Sequence, residues 1–112
     1  MPLERTTRAF AFRSDLSLAQ MKQLLDARRQ RAWVFGDSEW HGDYLGGSIS
    51  PEAIARIYAT KSAGRFHVSL RFVAEAGDPN GRAGFLQAES ILLQQILPAI
   101  EGRDIEPAEP LA

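Results

Sequence analysis

Residues 65–73 read RFHVSLRFV, and this stretch decides the fold. Phe66, Val68, Leu70 and Phe72 project one way; Arg65, His67, Ser69 and Arg71 project the other. An apolar–polar period of two, rich in aromatic and β-branched residues, specifies a half-buried strand. Upstream, Ala55–Thr60 reads as a second strand, joined to the first by Lys61-Ser62-Ala63-Gly64, a hairpin-length loop containing glycine. Downstream, Asp78-Pro79-Asn80-Gly81 is strong turn chemistry. A helix follows it, with Phe85, Leu92, Ile96 and Ala99 on one stripe and Leu86, Leu93, Leu97 and Ile100 adjoining. Pro98 kinks or ends that helix, because it lacks an N–H and its ring clashes with the preceding turn.

Toward the N-terminus, Thr6–Arg13 alternates in the same way and reads as a strand. Ser17 and Gln20 have the capping-box spacing, which predicts a helix over 18–30 with Leu18, Met21 and Leu25 on its apolar stripe. Arg28, Arg29 and Arg31 then fall at the helix end, where the dipole favours cations. Residues 32–45 read either as a hairpin or as one long strand bulged at Gly36, and Gly46-Gly47-Ser48 reads as a break. Ser50-Pro51-Glu52 resembles a helix start, so one helical turn is expected there before the next strand.

Strands between two amphipathic helices predict an α+β two-layer sandwich. The expected form is an antiparallel sheet of about four strands with both helices on one face, ferredoxin-like or related, leaving the other sheet face open. With 112 residues the chain is one domain, read as 1–102 followed by an extended or disordered tail over 103–112 around Pro107 and Pro110, with a short edge strand around Asp104–Glu106 as the alternative. The absence of cysteine excludes disulfides, thiolate metal sites and a cysteine nucleophile. Thirteen basic residues against fourteen acidic ones leave no global charge to attract nucleic acid or a membrane. No apolar run approaches the roughly 20 residues of a membrane span, and no signal-peptide core follows the N-terminus, so a cytoplasmic location is expected.

The segment that could carry chemistry is DSEWHGDY, residues 37–44. On one extended strand, Asp37, Glu39, His41 and Asp43 share a face at a spacing of about 6.5–7 Å, with Trp40 and Tyr44 opposite. Such a row suits an acidic patch for a basic partner, and aromatic flanks suit an interaction hot spot. If it neighbours the 65–73 strand, its carboxylates are expected to pair with Arg65, His67 and Arg71 across the sheet. A straight strand spreads its side chains too far for several of them to share one ion, so neither a metal nor another cofactor is expected. The alternative is a small metal-dependent enzyme or ligand-binding protein centred on His41 and these carboxylates.

Val34–Ser38, VFGDS, resembles the opening block of GDSL-type hydrolases over this segment alone. The Asp-x-x-His of those enzymes has no match, because Ser38 stands three residues before His41 and Gly64 three before His67. Glycines near 77–84 lack the Gly-Lys-Ser/Thr ending of a phosphate loop. The expected function is therefore a non-catalytic protein-binding module, of which a bacterial immunity or antitoxin-like protein is one form. Its expected binding residues are Asp37, Glu39, Trp40, His41, Asp43 and Tyr44, and its expected partner is a basic toxin or enzyme. Homodimerisation through the open sheet or the wide second helix is a further expectation; nucleic acid is not an expected partner.

Overall fold

Around the 65–73 alternation the chain builds a six-stranded sheet. The computed structural model describes residues 3–28, 33–38, 42–75, 77 and 80–110. In chain order they form β1 (Leu3–Arg13), α1 (Leu18–Ala27), β2 (Val34–Ser38), β3 (Gly42–Ser50), β4 (Ala53–Ala59), β5 (Arg65–Glu75), α2 (Gly81–Ile91) and β6 (Arg103–Ala108). Every neighbouring pair is antiparallel, in the order β2-β3-β4-β5-β1-β6. The fold is α+β as expected, but the sheet has six strands rather than about four.

The added strands come from two places. Residues 103–108, expected in a tail, pair with β1 as β6; an edge strand tolerates Pro107 because one side of its backbone needs no ladder partner. Residues 34–50 form two strands, and β3 runs straight through Gly46 and Gly47, where a break was expected. The helical turn expected near Pro51 is a two-residue connection from β3 into β4.

The alternation in β5 sorts the sheet into two faces. Phe66, Val68, Leu70 and Phe72 are buried, as are Phe10 and Phe12 of β1, Ala55 and Ile57 of β4, and Leu45 of β3. Both helices cover this face, through Met21 and Leu25 of α1, Phe85 and Ala88 of α2, and Leu92 just past its end. Ser17 and Gln20 complete the capping box that starts α1. That helix ends at Ala27 rather than Gln30, and Arg29 and Arg31 lie outside the described residues. In its last turn the Asp26 carboxylate accepts from the backbone N–H of Trp33 at 3.1 Å and from Lys22. The Lys22 hydrogen bond, then the Trp33 N–H, hold the Asp26 carboxyl below the ordinary aspartate range.

Pro98 lies in the last turn of the second helix, which stops one residue later at Ala99. After Ile91 the helix widens into a π-turn, Leu92–Ile96, in which the Leu97 N–H reaches back to Leu92, and a last α-turn follows over Leu97–Ala99. The wider turn moves the carbonyls away from a proline ring that would strike them in a regular α-helix. Leu92, Ile96, Leu97 and Ile100 are thereby all kept on the core side.

Ser14 ties the helix layer to the sheet. It is fully buried; its Oγ donates to the Ile100 carbonyl at 2.7 Å and accepts from the Leu16 N–H at 3.2 Å. Ser14→Ala is expected to destabilise the fold by about 1–3 kcal/mol, because the carbonyl of the fully buried Ile100 loses this donor. A urea melt reads this as a lower midpoint at unchanged slope; an unchanged midpoint would show that the bond contributes nothing net.

Candidate functional site

β2 and β3 are the arms of a hairpin, with Asp37 opposite Asp43 and Ser38 opposite Gly42. The row expected on one strand face is therefore folded back on itself. Asp37 and Asp43, both exposed, face each other on the helix side of the sheet, and Tyr44 points to the other side. Glu39, Trp40 and His41 lie outside the described residues. Among the described residues, Asp37 and Asp43 form none of the expected ion pairs with Arg65 and Arg71: β4 separates β3 from β5, and Arg65, His67 and Arg71 occupy the opposite face.

Among the described residues no helix covers that opposite face. Its register places Gly36, Tyr44, Tyr58, His67, Ala11 and Glu106 side by side across all six strands. The Tyr44 and Tyr58 rings lie 5.3 Å apart between centroids, and Tyr58 and His67 lie 6.4 Å apart. Tyr44 lies over Gly36, where an added Cβ would sit 2.3 Å from the ring. The Arg56 guanidinium caps the same ring, 4.6 Å from its centroid. Tyr58 and His67 are only 7% and 8% exposed, so this ladder is a packed floor rather than a row of protruding rings.

Cations stand around the floor. By register, Arg5 and Arg13 of β1, Arg56 of β4, Arg65 and Arg71 of β5, and Arg103 of β6, which pairs with Asp15, all point to this face. Its carboxylates by the same register are Glu75, at the end of β5, and Glu106, on the edge strand. Arg13 lies 3.9 Å from Asp104, whereas Arg5, Arg56, Arg65 and Arg71 have no ion pair among the described residues. Arg65 and Arg13 are direct cross-strand neighbours, and Asp104 and Glu106 line the same hollow, so the chain's own carboxylates stand beside these like charges. The alternation of Ile54, Arg56 and Tyr58 in β4 carried the signal for the residues missing from the expected site, but their face was legible only once β4 was paired with β5.

Among the described residues no three His, Asp or Glu side chains are grouped to hold a metal ion, and no helix is long and apolar enough to cross a membrane. No family model and no curated protein matches the chain.

Proposed function

We propose that the protein is a non-catalytic binding module that takes an acidic protein surface on the open face of its sheet. The observation that carries this reading is the set of six arginines on that face, four of them without an ion pair among the described residues. Guanidinium forks fit carboxylates with two parallel hydrogen bonds, which gives orientation as well as attraction. Single-stranded nucleic acid is the other polyanion to weigh. It binds largely by stacking bases on exposed rings, and here Tyr58 and His67 are buried while Arg56 caps Tyr44. The strand order supports a recognition role: β1, α1, β4, β5, α2 and β6 follow a ferredoxin-like path, with the β2–β3 hairpin inserted before β4. That arrangement leaves one sheet face for partners.

A second reading rests on the hairpin. Asp37 and Asp43 are directly opposed and exposed, with no cation paired to either among the described residues, so a basic partner such as a toxin would relieve their repulsion. Immunity or antitoxin-like proteins act in this way.

One experiment separates the readings. A protein co-purified from the native organism is made recombinantly and titrated against the wild type, an Arg56→Glu/Arg71→Glu variant and an Asp37→Lys/Asp43→Lys variant. The sheet-face reading expects affinity to fall roughly 100-fold or more in the arginine variant, because like charges juxtaposed in an interface cost several kcal/mol. Loss confined to the aspartate variant selects the hairpin, and unchanged affinity in the arginine variant overturns the sheet-face reading. A thymidine 20-mer titrated in parallel distinguishes a nucleic-acid site, which would bind it in the wild type and lose it in the arginine variant.

A further inference from the structure

The two edges of the sheet are built differently. β6 carries the usual guards against strand addition, with Pro107 and the charged Arg103, Asp104 and Glu106. β2 has no Lys, Arg or Pro, and its apolar residues are exposed on both sides: Val34 at 59% and Phe35 at 54%. Val34 lies on the open face with Gly46, and Phe35 lies on the helix side with Leu45.

We infer that β2 is the pairing edge for a second copy of this chain, joined antiparallel about a two-fold axis through Phe35. The strand's own residues select both the occupant and the register. With Phe35 opposite Phe35 of the second copy, the two exposed rings meet on the helix side. Val34 then faces the second copy's Gly36, whose space on the open face is filled by the Tyr44 ring, so the isopropyl group packs on an aromatic surface. Asp37, the only charge on β2, stays about 13 Å from its symmetry mate, beyond the roughly 10 Å screening length at 0.1 M salt. A register centred on Asp37 would instead oppose two carboxylates.

Two short edges bury less than the roughly 1,200–2,000 Å² of a standard interface, which makes this dimer concentration-dependent rather than obligate. An axis perpendicular to the sheet puts both helix layers on one side. The product is a continuous twelve-stranded sheet (twice the six of one chain) whose other face joins the two arginine surfaces.

The chain has no cysteine, so single replacements report the register directly. Light scattering after size exclusion is expected to show mass rising with concentration toward twice the 12.4 kDa of the chain. Phe35→Lys should stay monomeric at the same concentrations with an unchanged melting temperature, since Phe35 is exposed in the monomer. Under mild oxidation Phe35→Cys should cross-link about tenfold faster than Val34→Cys, because the symmetry-related Cα atoms of residue 34 lie about 8 Å apart, beyond the roughly 7 Å a disulfide spans. A constant monomer mass up to millimolar concentration, a dimer that persists in Phe35→Lys, or equal cross-linking at positions 34 and 35 overturns the inference.

Discussion

Gly47→Val is expected to unfold the protein or to cost at least about 3 kcal/mol, the upper end of what an overpacked core ordinarily loses. Gly47 is on the helix side of β3, opposite Ala55, and Trp33 lies flat against it. A Cβ added there would sit 2.5 Å from Trp33 Cδ2 and 2.7 Å from Cε2, closer than van der Waals contact allows. The ring has little room to retreat, because Trp33 is 4% exposed and its backbone amide, which sets where the side chain starts, is held by the Asp26 carboxylate. Valine should gain β-propensity over glycine, but that scale spans only about 1 kcal/mol and does not offset the clash. A double-mutant cycle tests the cause. Trp33→Ala alone should cost about 3–5 kcal/mol through the cavity it leaves. In that background Gly47→Ala, expected to cost about 1–3 kcal/mol on its own, should become neutral or stabilising as the new methyl enters vacated space. Additive urea-melt values would show that Gly47 is needed for something other than the tryptophan.

The same pair explains which parts of the fold were legible. Where each local signal agreed with the final packing, the reading held: the alternation of 65–73 became the centre of the sheet, and the Ser17–Gln20 spacing became a complete capping box. It failed where a local signal had a tertiary cause. Gly46-Gly47 reads as a break on propensity alone, yet both glycines lie inside β3, with the Tyr44 ring beside the first and Trp33 against the second. The tail reads as extended or disordered because Pro107 and alternating charge suit solvent, with a short edge strand around Asp104–Glu106 as the alternative; pairing with β1 selects that strand and lengthens it to Arg103–Ala108. The candidate site suffered from the same ambiguity. A period of two in DSEWHGDY fits one strand, but β2 and β3 pair antiparallel within it, which places Asp37 opposite Asp43 rather than in line with it. The arginine face needed β4 and β5 in register before Arg56 could be set beside Ser69 and Arg71.

Phe12→Ala and Phe35→Ala delete the same ring from the same side of the sheet, and their expected costs differ by about 3 kcal/mol or more. Phe12 is 1% exposed and stacks on Phe66 with centroids 5.5 Å apart. Its truncation should leave a cavity at the junction of β1, β5 and the end of the second helix and cost about 3–5 kcal/mol. Phe35 is on the edge strand, more than half exposed, and its removal from the monomer should stay within about 0.5 kcal/mol. The comparison must be made at low micromolar protein, where a weak dimer adds nothing to apparent stability, and repeated near millimolar, where pairing through β2 would stabilise the wild type but not Phe35→Ala. A concentration-dependent gap between wild type and Phe35→Ala, with none between Phe12→Ala at the two concentrations beyond the wild-type shift, assigns the Phe35 ring to assembly. A cost above about 1 kcal/mol for Phe35→Ala at low concentration would make that ring part of the monomer's own packing, and the exposed edge would lose its reason to pair.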